Sequence, residues 1–160
     1  MPFRTILVGV DLTPASAQAL ARALELGERL GAQVHAAHVV DHACLRPEEE
    51  LERIGAGRDR EALERELVGQ ARAELEGVLA RVPGAAQRLA GVHLRVGEAV
   101  DELLELAREI GADLLVVATH GRQGIDRLLQ GSVAEALLER SPVPLLALRG
   151  GGATGPEPAS

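Results

Sequence analysis

The chain has 160 residues, 46% of them hydrophobic and 26% charged, and a formal net charge of -7; one soluble domain with a real core is expected and a disordered chain is excluded. Excess acid argues against a general nucleic-acid binder, because affinity for phosphate backbones comes from Lys and Arg. All 17 basic residues are Arg and Phe3 is the single aromatic, so lysine phosphate clamps, Schiff-base chemistry and base stacking on aromatic platforms are excluded.

The first strand is predicted at Ile6-Leu7-Val8-Gly9-Val10, an apolar run that stops at Asp11. Thr13-Pro14 then supplies an N-cap followed by Pro at the first helical position, and Ala17, Leu20, Leu24 and Leu30 share roughly one face of a helix that ends by Gly31. Val34 to Val40 reads as the second strand. The sequence turns charged from Arg46, with Glu48-Glu49-Glu50 read as a solvated helix start and a break at Gly55-Ala56-Gly57. Leu63, Leu67, Ala71, Leu75 and Leu79 then recur at every fourth residue, which predicts a long second helix. Pro83-Gly84 punctuates, Val92 to Val96 alternates as a third strand, and Val100, Leu103, Leu104, Ala107 and Ile110 mark a third helix.

Leu114-Leu115-Val116-Val117 is a strand buried on both faces, as a parallel sheet covered by helices requires. A fourth helix is expected from Val133 to Arg140, stopped by Ser141-Pro142, and a last strand from Val143 to Leu148. Residues 1–149 therefore form the domain, and Gly150 to Ser160 is expected to be a disordered tail. No apolar run reaches the ~20 residues of a spanning helix, and Met1-Pro2-Phe3-Arg4 does not begin a signal peptide, so a cytoplasmic location away from the membrane is expected. The lone Cys44 suits a reducing compartment and receives no function.

Alternating strands and helices imply an α/β fold with one parallel sheet and helices on both faces. Ligands bind such sheets beyond the carboxyl ends of the strands, where strand order reverses. The loops to search are Asp11 to Thr13, Val39 to His42, and Ala118 to Ser132. The last holds Ala118-Thr119-His120-Gly121, nine further residues, then Gly131-Ser132. Ser132 and Glu135 have the spacing of a capping box, so a helix begins there, and its unpaired N–H groups beside glycines make an anion site.

Each candidate has two readings. Asp11 either holds a ribose hydroxyl or a phosphate-bound magnesium, or caps the turn into the first helix. Ser132 is a phosphate contact or only a helix cap, and Arg122 and Arg127 either neutralise phosphate or are solvated. His120 contacts phosphate or orders its loop, without a partner carboxylate that would mark a general base. His35, His38 and His42 invite a metal reading, yet His35 and His38 point to opposite faces of a strand, so no metal-ligand set is assigned. No motif for enzymatic turnover appears, and no catalytic residue is assigned.

Five runs together, Ile6 to Asp11, His38 to Asp41, Ala112 to Val117, the loop ending Gly131-Ser132-Val133-Ala134-Glu135, and Val143 to Arg149, give a sequence that resembles the universal stress proteins of the nucleotide-binding alpha-hydrolase-like superfamily from about Phe3 to Arg149. The resemblance implies a three-layer α/β fold, a five-stranded parallel sheet ordered 3-2-1-4-5, and a homodimer that pairs the last strands of two subunits. ATP-binding members carry Gly, two residues, Gly, nine residues, then Gly with Ser or Thr; here Ala118 stands for the first Gly. If Ala118 is extended only its methyl matters, and the strand before it favours that case, so binding is expected to survive.

By resemblance, Gly121, Gly131, Ser132 and Val133 face the phosphates, Val39 offers backbone groups to adenine, and Asp11 and Thr13 lie near the nucleotide. The implied ligand is ATP or AMP with Mg, and the implied role is a dimeric, nucleotide-binding regulator of the stress response with a regulatory partner the sequence does not specify. Two alternatives stand beside it: a dimeric interaction protein of the same fold that binds no nucleotide, which Ala118 favours, and a slow ATPase, implied by resemblance alone.

Overall fold

The computed structural model describes residues 2–41, 60–119 and 133–149. Its elements in chain order are β1 (Thr5–Gly9), α1 (Pro14–Leu30), β2 (Gln33–Asp41), α2 (Arg60–Ala80), α3 (Ala85–Arg88), β3 (Gly91–Gly97), α4 (Ala99–Ile110), β4 (Leu114–Thr119), α5 (133–140) and β5 (Leu145–Arg149). The strands form one parallel five-stranded sheet in the order β3-β2-β1-β4-β5, as expected. The short helix α3, where the sequence shows only Pro83-Gly84 punctuation, was not foreseen. Gly84 adopts a left-handed φ of 72°, and the Ala85 N–H donates to the Val82 carbonyl, so the turn runs straight into one helical turn.

Two-residue alternation along the strands divides the core into two layers. Ile6 and Val8 of β1, Val34 and Ala36 of β2, and Leu114 and Val116 of β4 pack with Leu20 and Leu24 of α1 and Leu75 and Val78 of α2. Leu7, Ala37, Leu115 and Val117 point the other way and meet Leu103, Leu106 and Ala107 of α4 and Leu137 of α5. The central strand β1 is sealed on both faces, which is why its sequence is a continuous apolar run. Thr13 caps α1, Pro14 follows at its first position, and Gly31 closes it at φ 66°, as the sequence predicted. A Cβ on Gly27 of α1 would come within 2.5 Å of Val34 Cγ2, so this glycine lets α1 lie close on β2.

Asp113, in the turn before β4, ties that strand to β1: its carboxylate accepts from the Arg4 N–H at 2.9 Å and the Thr5 N–H at 3.0 Å. Burial opposes ionisation of this carboxyl, but those backbone donors outweigh it and hold it below the usual carboxylate range. Cys44, the Glu48 to Glu50 run, and Gly150 to Ser160 lie outside the described residues.

Candidate functional site

The pairing of β1 with β2 ends at Gly9↔Ala37, whereas β2 continues along β3 as far as Asp41↔Gly97. Past Gly9 the chain peels away from the sheet toward α1, and β4 lies on the other side of β1, so strand order reverses here. A cavity of about 590 Å³ of atom-free space, part of it open to solvent, occupies this crevice, at the place where sheets of this kind bind ligands. Gly9, Val10 and Asp11 line it from the end of β1, and Ala37, His38 and Val39 from β2. Val117 and Ala118 of β4, Ala99 and Leu103 of α4, and Val133 and Ala134 of α5 complete a largely apolar wall.

The turn out of β1 is held from both sides. From β2, the His38 Nδ1–H donates to the Val10 carbonyl at 2.6 Å, which fixes the neutral ring's tautomer and leaves Nε2 as its acceptor. From α1, the Ser16 hydroxyl accepts from the Asp11 N–H at 2.8 Å and donates to Asp11 Oδ1. The same carboxylate oxygen accepts from the Thr13 N–H at 3.1 Å and from the Thr13 hydroxyl. Asp11 thus closes an Asx turn around Leu12, whose φ of 69° is left-handed and costs about 1–2 kcal/mol for a residue with a side chain.

Asp11, Val39 and Val133 accordingly meet at one cavity, while Thr13 sits beside it as the helix cap and is not among its lining residues. Val39 has a further property. The Val10 N–H donates to the Ala37 carbonyl at 2.7 Å, so Ala37 presents its backbone toward β1. Two residues on, Val39 presents its N–H and C=O to the same side, beyond the last β1–β2 pair. Ala118 is extended within β4, paired with Leu148, so the left-handed case does not arise, and it is among the residues that line the cavity. Gly121, Gly131 and Ser132, with His120, Arg122 and Arg127, lie outside the described residues, as does His42.

Sequence reasoning missed Ser16 and the ring of His38 as parts of this site. A Ser three positions after a helix cap and a His within a mostly apolar strand are the signals, but neither reports a partner until the turn is folded.

A second polar cluster lies near the amino ends of β2 and β3. The His35 Nδ1 and His93 Nε2 are 3.1 Å apart with ring centroids at 5.3 Å and planes at 24°. That is the arrangement of one shared proton between two rings facing nitrogen to nitrogen. Among the described residues no group of three or more His, Cys, Asp or Glu side chains gathers to hold a metal ion. His38 lies on the opposite face of β2 from His35, as the alternation predicted. Burial pushes both imidazoles below their ordinary value of 6.5; for His93 the neighbouring His35 and Arg95 add to this, and Glu109 opposes it.

With the folded pKa values lowered, the unfolded chain binds more protons between them and 6.5, so this contribution to stability is complete above about pH 6.5 and is lost as pH falls through the folded values. The melting temperature is therefore expected to decline as pH drops below 6.5, and His93→Gln should flatten the decline. An equal slope in the variant would contradict this. The Asp113 contribution, by the same reasoning, is lost only at lower pH, as the pH falls through its depressed pKa.

Comparisons with known proteins agree with this architecture. The sequence profile of the Universal stress protein family matches residues 2–149. The chain is 31% identical over 149 residues to Universal stress protein A homolog 1 of Coxiella burnetii, spanning 92% of this chain and 97% of that one. The solved structure of universal stress protein UspA from Lactobacillus plantarum superposes with a TM-score of 0.71 at 21% identity, over 93% of this chain and 99% of that one. A universal stress protein solved in complex with cAMP superposes with a TM-score of 0.64 at 26% identity, over 92% and 98%. Profile, near-full-length relative and sheet order coincide: the chain belongs to the universal stress protein family.

Proposed function

We propose that this chain is an adenine-nucleotide-binding regulatory protein that works as a homodimer. The observation that carries the reading is the conjunction, at one apolar cavity, of the Asp11 carboxylate with the Val39 backbone lying past the end of the β1 pairing. A purine edge needs backbone donors and acceptors of this kind, and aliphatic walls suit a base in a chain with a single aromatic. The nucleotide's sugar would meet Asp11, and its phosphates, with Mg, would reach the segment of Gly121, Gly131 and Ser132 and the start of α5 at Val133. The cAMP complex of the structural relative supports an adenine nucleotide as the ligand class. No catalytic residue is proposed.

Denaturing the purified protein and chromatographing the supernatant is expected to release an adenine nucleotide. Release of none, together with no binding of added Mg-ATP, would favour the dimeric interaction protein instead, the reading that Ala118, standing in place of the motif's first Gly, favours.

The proposed dimer pairs β5 with its copy. Among the described residues β5 pairs only with β4, and Leu146 and Ala147 on it are exposed, as is Leu138 of α5 at 71%; an open apolar edge of this kind invites pairing. The Leu115 N–H donates to the Pro144 carbonyl, so by alternation the Ala147 N–H faces outward. Ala147→Pro removes that donor and no bond to β4. The variant is expected to sediment as a monomer while keeping its fold; an undiminished dimer would exclude pairing through this edge.

A further inference from the structure

We propose that Ser16 is a positioning residue for the nucleotide site: its buried hydroxyl locks the Asp11 carboxylate in the orientation that receives the ligand. The proposal rests on the adenine-nucleotide reading given above and adds to it the group that sets Asp11. Ser16 is the one buried polar side chain among the described residues, 1% exposed. A hydroxyl taken out of water is costly unless fully hydrogen-bonded, and here both of its capacities go to a single neighbour. It accepts from the Asp11 N–H and donates to Asp11 Oδ1, so backbone and side chain of Asp11 are fixed by one atom.

Helix capping does not account for this. Thr13 already caps α1, its side chain accepting from the Ser16 N–H, and Pro14 leaves no donor at the first helical position. The Ser16 hydroxyl instead reaches back five residues to the strand end, across the left-handed Leu12, and both Ser16 and Asp11 line the cavity. With alanine at 16, Asp11 Oδ1 keeps only Thr13 among these donors, and the Asp11 N–H loses its acceptor.

The test pairs a binding measurement with one that needs no ligand. In wild type, three-bond couplings are expected to report a single Asp11 χ1 rotamer, and in Ser16→Ala a mixture. Mg-ATP affinity should fall about tenfold in Ser16→Ala, the size of a lost hydrogen bond to a charged group, while affinity for inorganic tripolyphosphate stays the same. Ser16→Cys, which keeps the volume and gives up the strong hydrogen bonds, should behave like Ser16→Ala; Ser16→Thr, which keeps the hydroxyl, should restore both couplings and affinity. A single Asp11 rotamer and unchanged Mg-ATP affinity in Ser16→Ala would overturn the proposal. A wild-type chain that binds no adenine nucleotide overturns the reading beneath it, and the couplings then decide the lock between Ser16 and Asp11 on their own.

Discussion

Leu115→Ala is expected to cost about 3–5 kcal/mol of stability, the range for emptying a leucine site that cannot collapse. Leu115 is fully buried in β4, in register with Leu7 of β1 and Leu145 of β5, and belongs to the layer that α4 and α5 cover. Strands on both sides hold the backbone in place, so the surrounding side chains have little freedom to fill the void. For a chain of this length the melting temperature should fall by roughly 6–20 °C. Leu138→Ala, at a site 71% exposed, is the contrast: in the monomer it should stay within about 0.5 kcal/mol of wild type. Equal losses for the two would mean that the α4 layer is not the core described here.

Asp11→Asn is expected to weaken Mg-ATP binding by about 10- to 100-fold, the size of a charge-assisted hydrogen bond. Asparagine keeps an Oδ1 that can still accept from the Thr13 N–H and the two hydroxyls, so the Asx turn and the cap of α1 survive. What it removes is the negative charge at the cavity rim. Glu25→Gln is a suitable control, since Glu25 sits on the outer face of α1 and, among the described residues, pairs with Arg22 and Arg29 in exposed ion pairs, which contribute little. Isothermal titration separates the two. An Asp11→Asn protein that binds as tightly as wild type would remove Asp11 from the ligand site and leave it only the turn-capping role.

Much of the fold was legible because its signals are local. The unbroken apolar runs at 6–8 and 114–117 mark strands with helices on both sides, and Thr13-Pro14 and Gly31 mark the ends of α1 by their backbone preferences alone. The last strand was placed two residues early, because Val143 and Pro144 look like strand while Ser141 turns the chain there, its hydroxyl hydrogen-bonding the Val143 N–H and carbonyl. The pair of His35 and His93 was invisible, since those residues are 58 positions apart and meet only through the β2–β3 register. Ser16 was hidden for a similar reason. In the helical pattern it reads as one more small residue, and only the bend at Leu12 brings Asp11 back over it. The candidate site was legible as a set of loops at the strand ends, and the Asp11, Val39 and Val133 positions do gather there.

The most direct test of nucleotide binding is thermal melting with and without Mg-ATP. At a ligand concentration near 100 times Kd, the account predicts about 2.7 kcal/mol of added stability, a rise of roughly 5–10 °C in the melting temperature. A melt that does not move at millimolar Mg-ATP would contradict it.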